Sequence, residues 1–202
     1  MNTKKHIKPQ ALIFVGRSGC GKGTQAELVC EYLKEIDSKR DQLYIQTGAE
    51  FREFIKGNNY TQKLSKKAYD TGGLQPEFLA ASMWLNVLVK RYKGDEHLIF
   101  DGTPRKYHEA GTLDSVFKFY GFGKPYVINV NISGVESKRR LLARKRIDDT
   151  ENEIKKRLEW YETDVVPAIN FYRDNSNYHF LEIDGERTPA EIHKDIIGRL
   201  HL

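Results

Sequence analysis

The chain has 202 residues, of which 39% are hydrophobic and 30% charged, with a net charge of +5 at pH 7. Those fractions are ordinary for a globular protein, and the length fits one domain with room for small inserts around a site. The longest apolar run, Ala11–Val15, falls well short of a membrane span of about 20 residues and of a secretory h-region of about 7–15, so a cytoplasmic protein with no membrane partner is expected.

The two cysteines, Cys20 and Cys30, are too few for a four-ligand zinc site and read as ordinary thiols in a reducing compartment. The first ten residues, rich in Lys and His, read as a solvated tail. A basic balance suits anionic partners, whether nucleotides, nucleic acid or acidic membrane, and does not choose among them.

In chain order, Ala11–Val15 is a buried strand and Lys22–Ile36 a helix with Ala26, Val29, Leu33 and Ile36 on one stripe. Leu43–Gln46 is a short strand, and Thr47-Gly48-Ala49-Glu50 reads as a capping box that starts a helix. Gly57-Asn58-Asn59 and Thr71-Gly72-Gly73 are breaks, and Pro76 opens a helix that runs to about Tyr92. Strands follow at His97–Phe100, Tyr126–Val130 and Tyr178–Ile183. Capping sequences at Ser133–Glu136, Thr150–Glu153 and Thr188–Glu191 start the remaining helices, the second running past Trp160 to about Arg173. Trp160 and Tyr161 read as helical core packing. Strands alternating with helices predict an α/β fold: a five-stranded parallel sheet covered on both faces, with ligands outside the carboxyl ends of the strands.

After the first strand comes Gly16-Arg17-Ser18-Gly19-Cys20-Gly21-Lys22-Gly23-Thr24, which contains G-x-x-x-x-G-K between a strand and a helix. In such a loop the glycines let successive N–H groups face phosphate oxygens, the helix N-terminus adds positive potential, and Lys22 supplies a charge to the β/γ-phosphates. The usual Ser or Thr after the lysine is Gly23, with the hydroxyl one place later at Thr24. Direct magnesium ligation from the usual position is therefore unavailable.

From this loop onward the chain resembles the adenylate kinase family of P-loop nucleoside-monophosphate kinases, over nearly its whole length. Gly21-Lys22-Gly23-Thr24-Gln25 resembles the family loop, Thr47–Arg52 its TGDLLR with Ala49 for the acidic residue, and Gly72–Glu77 its GxLVPDE. Asp101-Gly102-Thr103-Pro104-Arg105 resembles DGFPR with Thr103 for phenylalanine, and Arg140–Arg144 the helix entering the lid. Arg146-Ile147-Asp148-Asp149 resembles the lid's exit, Lys156-Arg157-Leu158 the KRL that follows, and Ile183-Asp184-Gly185 the turn beside the donor adenine.

The resemblance implies transfer of the ATP γ-phosphoryl to a nucleoside monophosphate, first AMP (ATP + AMP = 2 ADP) and in the alternative another such as GMP, by a cytoplasmic monomer with Mg²⁺ as cofactor and no nucleic-acid partner. It implies a catalytic set of Lys22, Arg105, Arg144, Arg146 and Arg157, and Asp101 holding Mg²⁺ through water. ATP falls to Gly16, Ser18, Gly19, Cys20, Gly21, Lys22, Gly23, Thr24, Arg140 and Arg144. The monophosphate falls to Thr47, Gly48, Arg52, Gly73, Gln75, Arg105, Glu109, Arg146 and Arg157. Phosphoryl transfer needs two phosphates in line and their charge neutralised. The acceptor is already an anionic oxygen, so no general base is expected.

The whole of 1–202 reads as a single P-loop kinase domain with a small helical monophosphate-binding insert at about 47–75 and a vestigial lid at about 144–146. Two departures stand out. Glu109 occupies the place of the family's adenine-reading glutamine, and a carboxylate that only accepts matches guanine's N1–H and N2–H₂ rather than adenine. Thr47, as in adenylate kinases, points the other way, so AMP and GMP both stay open. Between Arg144 and Arg146 stands only Lys145, which leaves little chain to exclude water. The competing readings are a nucleotide-binding regulatory protein that has lost turnover, a basic RNA-binding module using Lys138–Arg146, and a P-loop kinase with a non-nucleotide acceptor. The RNA-binding reading lacks the aromatic–glycine signatures of RNA-recognition folds.

Overall fold

The computed structural model describes residues 7–144, 146 and 149–202. The expected tail residues Lys4, Lys5 and His6, and part of the lid segment, lie outside the described residues. Five parallel strands form one sheet in the order β2-β3-β1-β4-β5: β1 Ala11–Val15, β2 Gln42–Gln46, β3 His97–Asp101, β4 Tyr126–Asn131 and β5 His179–Asp184. The central strand pairs on both sides, Phe14 opposite Asp101 of β3 and Ile128 of β4.

Side chains alternate across a strand, and β1 divides its residues between two cores. Ala11, Ile13 and Val15 join Trp84, Leu113, Phe117 and Tyr172 on one face. Leu12 and Phe14 join Val29, Leu33, Ile192 and Ile196 on the other. The first face is covered by α4 (Glu77–Arg91), α5 (Tyr107–Tyr120) and the helical run to Arg173, the second by α1 (Lys22–Ile36) and α9 (Pro189–Arg199). Among the described residues no helix is long and apolar enough to cross a membrane.

Two local expectations change. Helix α2 (Thr47–Phe54) begins at Thr47 with Gln46 as N-cap and no side-chain cap, because β2 runs directly into it; the capping box does not form there. A capping box forms instead at Asn59 with Gln62, opening α3 (Tyr60–Asp70). The run from Thr150 to Arg173 is also not one α-helix. It is α7 (Glu151–Trp160), a π-turn over Tyr161–Val165, and α8 (Val166–Arg173). Pro167 has no N–H to give and its ring crowds the carbonyl four residues back. The turn widens, and the N–H of Val166 reaches the carbonyl of Tyr161, five residues back.

At the start of β3, His97 is fully buried. Its Nδ1 accepts from the Gln10 N–H at 3.0 Å, so the proton of the neutral ring sits on Nε2, 3.5 Å from Asp37 Oδ2. Burial pushes the imidazole below its ordinary 6.5; Asp37 opposes the shift and Arg40 adds to it. A folded value below the unfolded one means that the unfolded chain binds more protons between the two. This stabilisation is therefore complete above about pH 6.5 and is lost as pH falls. Thermal melts should show the melting temperature dropping between about pH 7 and 5, and His97→Gln should flatten that slope. An unchanged slope would remove His97 from the account.

Candidate active site

The carboxyl ends of β1 and β3 lie side by side, and the loops leaving them form the floor of a cleft of about 480 Å³. After β1 the chain turns through three left-handed glycines, Gly16 (φ 136°), Gly19 (φ 80°) and Gly21 (φ 91°), the last being the N-cap of α1. At Gly16 a Cβ would stand 2.3 Å from the Val130 carbonyl oxygen, so only glycine fits. Helix α6 (Gly134–Arg144) braces the loop: Ser137 Oγ donates to the Ser18 carbonyl at 2.7 Å, and Leu141 packs under Gly19. Lys22 Nζ lies across the loop, donating to the carbonyls of Gly16 at 3.3 Å and Arg17 at 3.2 Å.

Asp101 ends β3 facing this loop. Its Oδ2 accepts from Tyr44 Oη at 3.1 Å and Gln46 Nε2 at 3.2 Å, both on β2. A Cβ on Gly23 would lie 3.2 Å from the same oxygen, so the glycine that replaces the usual Ser or Thr leaves room for Asp101. Among the described residues no three His, Cys, Asp or Glu side chains cluster as a metal site. The Asp101 carboxylate beside the phosphate loop fits Mg²⁺, which keeps several waters and arrives with nucleotide phosphates.

Arginines converge from four elements: Arg52 on α2, Arg105 after β3, Arg140 and Arg144 on α6 and Arg157 on α7, with Arg146 between the last two helices. Arg105 Nε donates to the Gly102 carbonyl at 2.9 Å. Burial lowers its pKa, the charges of Glu109 and Asp101 oppose this, and Arg157 and Arg52 add to it; a guanidinium stays protonated nonetheless. Buried Asp149 gathers the rest. It accepts a bidentate pair from Arg144 at 2.9 and 2.8 Å, Arg157 Nη1 at 2.9 Å and the N–H of Arg146 at 3.2 Å. Burial works against its charge, but the bonds and charges of Arg144 and Arg157 and the Arg146 N–H outweigh that and hold the carboxyl below its usual range. Arg140 is held by Glu136 at 2.6 Å and donates to the Gly185 carbonyl at 2.8 Å, against the turn after β5.

Of the residues singled out in the sequence, Lys22, Arg105, Arg144, Arg146 and Arg157 all line the cleft, as do Ser18, Gly19, Gly21, Gly23, Thr24, Arg140, Gly48, Arg52, Gly73, Gln75 and Asp101. Gly16 lines a crevice beneath the loop with Pro104 and Trp160, and the Cys20 side chain is buried. Thr47 is buried outside the lining, its Oγ1 without a partner. Glu109 also lies outside the lining. It is 3% exposed and turned inward, accepting the Thr103 hydroxyl at 3.1 Å. Burial pushes its carboxyl above the ordinary range, while Thr103 and Arg105 pull it back.

Comparison with known proteins places this geometry. The sequence pattern of the family described as Adenylate kinase matches residues 14–177. The chain belongs to the adenylate kinase family. It is 31% identical to adenylate kinase 1 of a Nostoc species over 94% of this chain and 97% of the relative. It is 33% identical to an adenylate kinase of Prochlorococcus marinus over 96% and 97%, and 30% identical to one of Corynebacterium diphtheriae over 94% and 98%. The protein is thus an ATP-dependent phosphotransferase of the nucleoside-monophosphate kinase class.

The sequence reading assigned no role to several residues of this adenylate kinase family site. Trp160 lines the cleft, with the Arg105 guanidinium 6.0 Å from its ring centroid. Spacing gave the signal: Trp160 follows Arg157 by three, on the same helical face. Asp149, Tyr44 and Gln46 act through other side chains, and Phe51 and Tyr69 line the insert side. Asp149 and Phe51 stand inside the Arg146–Asp149 and Thr47–Arg52 motifs without a role assigned to them, and Tyr44, Gln46 and Tyr69 carry no motif of their own.

Gly16→Ala should place its Cβ against the Val130 carbonyl in a left-handed backbone. The expected loss is about 1–3 kcal/mol of stability with a higher KM for ATP, read by denaturant melts and steady-state kinetics; a variant with wild-type values in both would contradict the close approach.

Proposed function

We propose that the protein transfers the γ-phosphoryl of ATP–Mg²⁺ to AMP, giving two ADP, as a cytoplasmic monomer with no nucleic-acid or membrane partner. One observation carries this reading: the phosphate loop with Lys22 and the arginines of the opposite wall, Arg52, Arg105 and Arg157, face one cleft around Asp101. Two charged phosphate groups held in line, with charge neutralised from both sides, are the requirement of phosphoryl transfer. Arginine suits the acceptor side because its planar fork binds phosphate bidentately.

In this reading the catalytic set is Lys22, Arg105, Arg144, Arg146 and Arg157. The donor phosphates take the loop N–H groups from Ser18 to Thr24, and Arg140 lies against the donor base at the Gly185 turn. The acceptor phosphate takes Arg52, Arg105 and Arg157, between Gly48 and the Gly73–Gln75 segment. Asp101 would hold Mg²⁺ through water, and the metal would supply charge neutralisation at the transferred group. The insert at about 47–75 closes over the acceptor. The carboxylate of Glu109 is engaged by Thr103 and is not offered to the acceptor base, which favours AMP over GMP.

A coupled assay with ATP–Mg²⁺ and each of AMP, GMP, CMP and UMP tests this. AMP should give the highest kcat/KM, and no turnover with any of the four would overturn the reading. Arg105→Ala should lower kcat/KM for the monophosphate about 10²–10³-fold and leave ATP affinity nearly unchanged; weakened ATP binding with an intact acceptor KM would put the arginine in the other half of the site.

The short Arg144–Lys145–Arg146 connection leaves little chain to cover the donor phosphates, so water reaches them. ATP hydrolysis without acceptor should exceed that of a full-lid adenylate kinase under the same conditions, with weaker donor-base selectivity. Hydrolysis at or below the full-lid level would show that another element seals the site.

A further inference from the structure

One face of α7 meets the end of the acceptor insert over three successive turns. Glu153, Lys156 and Trp160 are spaced three and four apart and share a helical face. Gly72 (φ 69°) sits so close to the first that a Cβ there would be 2.9 Å from the Glu153 Cα. Lys156 Nζ donates to the Thr71 carbonyl at 2.8 Å. Trp160 Nε1 donates to the Gly72 carbonyl at 3.1 Å. Thr71 and Gly72 are the residues at which α3 ends, with the N–H of Gly72 bonded to the Tyr69 carbonyl and that of Gly73 to the Ala68 carbonyl. Trp160 also lines the crevice under the phosphate loop, with Gly16, Pro104 and Arg105.

A glycine pair such as Gly72-Gly73 is a natural pivot, because it absorbs backbone rotation at little cost. Left free, it would let the insert move independently of α7. The acceptor phosphate, however, must be held from both sides at once, by Arg52 on the insert and by Arg157 on α7. Contacts that fix a pivot protect alignment, and misplacement of about 1 Å is costly in rate.

We propose that Trp160, seconded by Lys156, is a positioning residue that clamps the Thr71–Gly72 pivot onto α7 and keeps the insert arginine Arg52 in register with Arg157. The inference rests on the acceptor assignment above. The indole N–H is the working atom, since it supplies a directed bond to a carbonyl at the pivot while the ring fills the space beneath the loop. Lys156 adds a second, charge-assisted bond one turn away.

The test compares full-length Trp160→Phe, which keeps the ring but loses the donor, Lys156→Met, and Lys156→Arg, which keeps a donor. Amide hydrogen exchange on the protein without nucleotide reads the pivot directly. Residues 68–75 should exchange about 2–10-fold faster in Trp160→Phe and Lys156→Met, the range expected for losing one hydrogen bond, with the core strands unchanged and Lys156→Arg near wild type. In kinetics the same two variants should raise the KM for AMP by a similar factor and leave the KM for ATP within about twofold. Unchanged exchange over 68–75 in both variants overturns the proposal. So does a parallel rise of both KM values with faster exchange in the core strands, which would make Trp160 a packing residue only. Absence of transfer to AMP would defeat the acceptor assignment but not the exchange arm, so the two failures are distinguishable.

Discussion

Like charges repel, and this fold brings Lys22, Arg52, Arg105, Arg140, Arg144, Arg146 and Arg157 to one cleft whose lining, among the described residues, carries only two carboxylates, Glu27 and Asp101. The rest of the site is arranged around that constraint. Asp149 behind the cleft holds Arg144 and Arg157 together, Glu136 takes Arg140, and the charges of Glu109 and Asp101 act on Arg105. Asp149 takes the Arg144 guanidinium at Nε and Nη2 and the Arg157 guanidinium at Nη1, and Glu136 takes Arg140 at Nε. Arg140, Arg144 and Arg157 are thereby held in place before any phosphate enters, and preorganised charge of this kind lowers the reorganisation required at the moment of transfer. An entering polyphosphate relieves the remaining repulsion, and by mass action it stabilises the folded chain.

The sheet decides where those charges meet. With β1 between β3 and β4, the phosphate loop and Asp101 leave adjacent strands at the same edge. Asp101 opposes Gln46 of β2 in register, so the partner that orients its carboxylate comes from the next strand across. Gly16 and Gly23 share one physical reason: at Gly16 a side chain would strike the Val130 carbonyl, and at Gly23 it would crowd the Asp101 carboxylate. Close approach of backbone to backbone and of backbone to acid makes the floor of the site.

Much of this was legible in the sequence where the deciding interaction is local. The capping boxes at Thr150 and Thr188 close between residues three apart, and both form. Strand centres were legible from apolar runs, while their ends were not, because pairing with the neighbouring strand carries β3 on to Asp101 and β4 to Asn131. The Thr47 box failed because nothing local says that β2 enters α2 without a loop. The π-turn had a local cause in Pro167 that the capping pattern alone did not weigh. For Trp160 spacing gave the face it shares with Arg157 but not its contact: its partner, the Gly72 carbonyl, is 88 residues away in sequence, and helical spacing does not show what covers a face.

Two departures from the family pattern, Thr103 for phenylalanine and Glu109 for glutamine, look independent in the sequence and are one feature in space. Thr103 is fully buried, and a buried hydroxyl demands an acceptor. Glu109, two turns-worth of chain further on in the first turn of α5, supplies it at 3.1 Å. A phenylalanine could not donate that bond, and a carboxylate left in an apolar pocket without a donor would be costly. The Arg105 N–H, at 3.5 Å from the same carboxylate oxygen, adds a weaker contact. The carboxylate is thereby drawn toward the turn that presents Arg105, adding negative charge near a buried guanidinium that the other arginines crowd. A position that by family resemblance would face the acceptor base instead contacts the turn that presents Arg105, the arginine proposed above for the acceptor phosphate, which ties the change at Glu109 back to the same charge constraint that shapes the cleft.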